Sequence, residues 1–344
     1  MPRIAGRTLL AGLSLAVGCG APPATPLPCT RTDGPCVQIV AAAQVNPGPI
    51  AVTSSEVVWA NQGTCATPFT CKDASIAKAP VGGGQVEILT FTDRPATSIA
   101  VDPSYVYWTT PTTASVPPTI DGTVMKMPLA GGAPTMLAAG QATDSSSRVA
   151  VHGGDVYWSL PGGNGIMTAP TTGGVPGKFA ASSTLGFLFA LGRDRVYWED
   201  GGALRAKSFW TGSPTVTLGQ TGALGAMIDL VPTVDALYWT VGANRGFVQK
   251  LGFADGATSI VYMADDDVGD LALAADGNSL YWMNEQSFQD GRPQAGRLMK
   301  APLGGGDPVV VTPAALETRF VVVDATSVYF PSRDRGDILR ITPK

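Results

Sequence analysis

Histidine is almost absent from this sequence, with one, His152, among 344 residues. That excludes any metal centre built from several histidines, and the lack of a Cys-x-x-Cys spacing excludes the common structural zinc frameworks. No Gly-x-Ser-x-Gly, Walker A or His-Glu-x-x-His sequence occurs, so the common hydrolase, nucleotide and metalloprotease signatures are missing as well. Charge is sparse. Only 15% of residues are charged, and the net charge of −4 becomes −6 when Arg3 and Arg7 are removed with a leader. With no basic cluster, an electrostatic partnership with nucleic acid is excluded. The N-terminal apolar run, Leu9 to Val17, is too short to span a bilayer. What the chain has in quantity is 42 glycines and 28 prolines beside 44% hydrophobic residues, a composition suited to many short strands and tight turns around an ample core.

One phrase recurs along the chain: an apolar triplet, a hairpin turn, then an aromatic strand. Ile99-Ala100-Val101 leading to Tyr107-Trp108 is the clearest copy. The others are IAVTSSEVVW ending at Trp59, VAVHGGDVYW at Trp158, FALGRDRVYW at Trp198, IDLVPTVDALYW at Trp239, LALAADGNSLYW at Trp282 and VVVDATSVYF at Phe330. Their aromatic ends lie 49, 50, 40, 41, 43 and 48 residues apart, about the length of a four-stranded propeller blade. A second phrase follows each, as in GTVMKMPLAGG (122–132) and GRLMKAPLGGG (296–306), and then a short β-rich piece. Four strand-sized segments per unit make a blade.

The seventh unit stops after its third strand, near Ile338 to Thr342. Cys36 to Ala41 stands before the first blade where a fourth strand belongs in the repeat order. Pairing the two would close the ring and remove two open sheet edges. The prediction is therefore an all-β, seven-bladed β-propeller over residues 36–344, of four-stranded antiparallel blades and closed by an N-terminal strand. The tryptophans then read as packing between blades. Lys78, Lys126, Lys250, Lys300 and Arg340, which recur at one strand position, read as scaffold charges.

Tyr107-Trp108-Thr109, Tyr238-Trp239-Thr240 and Val124-Met125-Lys126-Met127-Pro128-Leu129 resemble the YWTD class of propeller repeats over residues 37–344. The Asp of that motif is absent from every copy, and Gly-Gly mostly replaces its Leu-Asp-Gly turn. The resemblance therefore implies architecture, and no receptor function.

Residues 1–18 read as a signal peptide, with Arg3 and Arg7 before the apolar run. Leu15-Ala16-Val17-Gly18-Cys19 resembles the lipobox of bacterial lipoproteins, which implies lipid on Cys19, a Pro-rich tether over 19–35 and a membrane-anchored place in the bacterial cell envelope, periplasmic or at the cell surface. Five cysteines are odd for an exported chain. Assigning Cys19 to lipid leaves Cys29, Cys36, Cys65 and Cys71 for disulfides. Of three connectivities, Cys29–Cys36 and Cys65–Cys71 close short local loops.

In a propeller, the loops between second and third strands and those between blades share one face, where function gathers. Three of the former are long: Ala60–Asp73, Thr109–Asp121 and Met283–Ala295. The last carries Asn284, Glu285, Phe288, Asp290 and Arg292, a mixture suited to a polar ligand, although a solvated loop is the plainer account. Arg148 and Arg319 precede inner strands and are expected to line the channel near Asp270. Asp265, Asp266, Asp267 and Asp270 could hold Ca²⁺, but they lack the order of known calcium loops, so a solvated acidic run is the simpler reading. His152 falls in a turn on the opposite face, which removes a Ser-His-Asp triad from the loops. The expectation is a non-catalytic, cofactor-free, monomeric envelope protein that binds a protein or glycan. The alternative is a Ca²⁺-dependent hydrolase or lyase like some propeller lactonases.

Overall fold

The computed structural model describes residues 36–67, 70–113, 120–162, 165–182, 188–222, 225–242, 246–263, 272–284, 288–289, 292–293, 296–312 and 318–344. They form seven four-stranded antiparallel sheets and two small two-stranded ribbons. Blade 1 runs Pro47–Val52, Glu56–Asn61, Ser75–Pro80 and Glu87–Phe91 from the channel outward. Blades 2 to 6 repeat that order, their inner strands being Ser98–Val101, Val149–His152, Phe189–Leu191, Ala226–Pro232 and Leu273–Ala275. Each inner strand touches those of its two neighbours, round to Val322–Val323 of blade 7 against Pro47–Val52 of blade 1. Cys36–Ala41 supplies the outermost strand of blade 7. It pairs antiparallel with Asp337–Thr342, Cys36 opposite Thr342 and Ile39 opposite Leu339.

The repeated aromatics hold the blades together. Buried apolar residues fall into seven clusters, each spanning two adjacent blades. In the cluster that closes the ring, Trp59 and Ile50 of blade 1 pack on Val40, Tyr329 and Ile338 of blade 7. Burying one large apolar side chain contributes about 1.5–3 kcal/mol, so seven such seams dominate the fold's stability. Two of the tryptophans also tie blades through polar atoms: the Trp59 indole N–H donates to Gln44 Oε1 at 3.1 Å, and that of Trp158 to Gln141 Oε1 at 3.0 Å.

The recurring cations are scaffold charges. Lys78 Nζ lies 2.7 Å from Glu56, Lys126 Nζ donates to the Thr171 carbonyl at 2.6 Å, and Lys250 and Lys300 sit over the rings of Tyr238 and Tyr281.

Two features go beyond the sequence pattern. In all seven blades the pairing of third and outermost strands contains a register shift, a bulge that twists an exposed edge away from intermolecular pairing. The Gly-Gly turns between those strands need a backbone that glycine alone adopts easily, as at Gly131 (φ 92°) and Gly132 (φ 129°).

Candidate functional site

Antiparallel blades send the hairpins between strands one and two to one face and the loops between strands two and three to the other. The hairpin face is short and repetitive. Asp102 accepts the N–H groups of Ser104 and Tyr105 and the Tyr107 hydroxyl, all at 2.7 Å. Asp276 does the same for Asn278, Ser279 and Tyr281, and Asp324 for Thr326, Ser327 and Tyr329. These are Asx turns extended by a tyrosine. Burial raises the Tyr281 hydroxyl to about 12, with the Asp276 charge adding to it. His152 ends the inner strand of blade 3 on this face and stacks on Phe209, ring centroids 4.2 Å apart.

The loop face opens into a cavity of about 640 Å³ at the channel mouth. It continues into a narrower cavity of about 260 Å³, and Ser98, Arg148, Asp229, Arg319 and Phe320 belong to the walls of both. The strand pairing explains why these residues converge. In each blade one residue precedes the inner triplet that pairs with the aromatic strand: Pro49, Ser98, Arg148, Leu188, Asp229, Ala272 and Phe320. All seven lie on the walls. They form a ring in which the repeat supplies the position and each blade supplies its own chemistry.

Some of that chemistry is structural. The inner strand of each blade is an edge, and its first N–H needs an acceptor. Ser98 Oγ accepts the Val149 N–H at 3.0 Å, and Asp229 Oδ2 accepts the Leu273 N–H at 2.9 Å, each reaching one blade onward. Asp229 Oδ1 also receives the Leu230 N–H at 2.9 Å and lies 3.2 Å from Arg148 Nη2. Arg148 is fixed at its backbone, where its N–H donates to Ser159 Oγ at 2.9 Å and its carbonyl accepts the Ser159 N–H at 3.0 Å. Glu199 stands on the same wall, with Oε1 accepting the Gly202 N–H.

Arg148 and Arg319 both stand on the wall of the channel mouth; Asp270, expected beside them, lies outside the described residues, and the described acid that meets Arg148 is Asp229. In the phrase IDLVPTVDALYW, Asp229 stands where the other copies carry the middle residue of their apolar triplet. Blades 5 and 6 have the same hairpin length as the rest, with Thr233 bonded to Ala236 and Asp276 to Ser279. Their extra residues lie at the channel-mouth end, which lifts Asp229 to the ring position. Aligning the phrases on their turns would have found it. Glu199 carried no such signal.

Cys65 and Cys71 form a disulfide within a ribbon of Thr64–Thr67 and Thr70–Lys72 on the loop face. Cys65 borders a further cavity of about 370 Å³, which shares Thr97 and Ser145 with the channel mouth. Cys36 is disulfide-bonded, while Cys19 and Cys29 lie outside the described residues. The base of the Thr109–Asp121 loop is clamped by Arg94, which donates to the Pro111 carbonyl at 2.6 Å and to Asp121 Oδ1 at 3.2 Å. The Thr113 N–H, against the opposing pull of burial and with help from Arg94, holds the Asp121 carboxyl below its ordinary value. Asn284 ends the second strand of blade 6 opposite Arg297, and Phe288–Gln289 pairs with Arg292–Pro293 as a ribbon. Glu285, Asp290, Asp265, Asp266, Asp267 and Asp270 lie outside the described residues. Among the described residues no three His, Cys, Asp or Glu side chains converge as a metal site.

No family model and no curated protein sequence matches this chain. Solved structures do. Virginiamycin B lyase from Staphylococcus aureus is similar with a TM-score of 0.64 at 11% identity, over 90% of this chain and 98% of that one. YCF48 bound to a D1 peptide gives 0.62 at 12% identity, over 91% and 96%. The β-propeller domain of Cps50 (Swd1) from Myceliophteria thermophila gives 0.62 at 11% identity, over 90% and 100%. Likeness at such identities is likeness of fold.

Proposed function

We propose that this propeller is an exported, lipid-anchored, non-enzymatic binding protein that holds a peptide segment of an envelope protein in the channel-mouth cavity. The observation that carries the reading is the ring of seven equivalent positions, identical in placement and unlike in chemistry, opening into about 640 Å³ on the face with the long loops. A cavity of this size with a few placed polar groups is suited to a ligand. Of the two ligand classes the sequence leaves open, the wall favours a peptide. Sugar rings are held largely by stacking on aromatic faces, and among the described residues of this wall Phe320 is the one aromatic. Apolar Leu188, Met227 and Ile228 beside Ser145 and Arg148 suit the alternation of side chain and backbone in a peptide. The neighbour YCF48 was solved with a peptide bound, which agrees with this use of the fold.

Catalysis is disfavoured by the place of the only histidine. A histidine-to-alanine variant of the lyase neighbour is described as catalytically inactive, whereas His152 here is stacked on Phe209 at the opposite face. The anchor reading rests on the leader and Cys19.

A photo-cross-linking amino acid placed at Ser145, on the cavity wall, or at Val234, on the hairpin face, tests the reading in the native envelope. The expected result is a discrete adduct from Ser145 and none from Val234. Adducts from Val234 alone would move the binding site to the other face. For the anchor, Cys19→Ala is expected to release the protein from the membrane fraction, and an intact mass without lipid on Cys19 would reject it.

A further inference from the structure

We infer that the ligand presents a carboxylate to the channel mouth and that Arg148 receives it; the inference rests on the cavity being the binding site. The argument is an asymmetry within the Arg148–Asp229 pair. Their charges cancel, but their hydrogen-bonding capacities do not. Asp229 has both oxygens engaged, Oδ1 by the Leu230 N–H and Arg148, and Oδ2 by the Leu273 N–H, and its side chain is 15% exposed. Arg148 meets it through Nη2 alone at 3.2 Å and is 38% exposed. Among the described residues its Nε and Nη1 groups have no partner. Among the described residues, the unused capacity of this pair is therefore donor capacity, on a planar fork that matches a carboxylate with two parallel bonds.

The surroundings agree. Glu199, the other carboxylate among the described residues of this wall, is engaged at Oε1 by the Gly202 N–H, and Arg319 lines the same wall. Ser145 is exposed beside Arg148 and adds a hydroxyl donor, whereas Ser146 and Ser147 are tied into a turn by Asp144. The Arg148 backbone is fixed by Ser159 and its guanidinium by Asp229, so little freedom is lost on binding. Phe320, Leu188 and Met227 offer apolar surface to the rest of the ligand.

A carboxylate can come from a chain terminus or from an Asp or Glu side chain, and three probes separate the sources: acetyl-trialanine as the free acid, acetyl-trialanine amide, and acetyl-Ala-Asp-Ala-amide. Each is titrated calorimetrically into the full-length protein. The expected result is that one carboxylate probe binds about tenfold or more tighter than the neutral amide, the scale of a charge-assisted pair, and the tighter one names the source. Arg148→Gln should abolish the difference and Arg148→Lys should retain part of it. Asp229→Asn, which keeps an oxygen for the Leu273 N–H, should tighten carboxylate binding by removing the competing anion. Equal affinity for all three probes, or a difference that survives Arg148→Gln, would overturn the inference while leaving peptide binding intact. No binding of any probe would overturn both.

Discussion

On the hairpin face, Asp102, Asp276 and Asp324 occupy equivalent positions and make the same three contacts, to two backbone N–H groups and a tyrosine hydroxyl. On the loop face, the seven equivalent positions around the channel carry a proline, a serine, an arginine, a leucine, an aspartate, an alanine and a phenylalanine. The same repeat produced both. Where the repeat is kept, the residues close turns and stack blades. Where it is broken, side chains of opposite charge, and of none, meet across one opening. Within a single repetitive chain, departure from the repeat marks the surface free to acquire a use.

Substitutions should separate the two faces. The largest effect is expected from Phe330→Ala in the fully buried seam between blades 6 and 7, a loss of about 3–5 kcal/mol seen as a lower denaturation midpoint. A fall below 1 kcal/mol would mean that the seams do not carry the fold. Next comes Asp276, whose carboxyl settles at about 2: burial pushes it up, and the Lys344 ammonium with the Asn278 and Ser279 N–H groups outweighs that. Because the folded value lies below the ordinary value of about 4, its contribution is full above about pH 4 and is lost as pH falls through about 2. Asp276→Asn should cost about 1.5–3 kcal/mol at neutral pH and flatten the acid limb of the stability curve. An unchanged acid limb would show that the turn does not depend on the charge.

Effects on the loop face should be smaller for the fold and larger for the surface. The double variant Cys65→Ser, Cys71→Ser opens a closure with a sequence separation of 6. It should cost about 1–2 kcal/mol or less, while proteolysis at residues 60–73 rises clearly. Collapse of the whole propeller would contradict the assignment of the ribbon to the loop face alone. Smallest of all, Arg148→Gln should change stability by less than about 1 kcal/mol, as Asp229 keeps its two backbone partners. A larger loss would make the pair a structural strut rather than part of a binding wall.

The ring was legible in the sequence because each blade restates the same triplet, turn and aromatic strand, and because Cys36 to Ala41 stood where a missing strand belonged. The bulges in the outer pairs left no trace, since a one-residue shift on an exposed strand disturbs no apolar pattern. The site was legible only in part. Arg148 and Arg319 stood out as charges beside inner strands, but Asp229 was hidden by a two-residue extension that the phrase IDLVPTVDALYW does not announce. Pattern reading finds what recurs, and the cavity is made of what does not.

The closing strand also sets the mechanics of the molecule. It starts at Cys36 on the hairpin face and runs toward the loop face, with rungs from Cys36 opposite Thr342 to Ala41 opposite Ile338. Arg340 adds crosslinks to Gln38 and to the Val81 carbonyl of the next blade. Tension applied through the chain upstream of Cys36 therefore acts along the strand's own axis and loads these rungs together, in shear, instead of peeling them one at a time. The lipid anchor proposed for Cys19 would, with this geometry, hang the propeller from its hairpin side and turn the cavity away from the membrane.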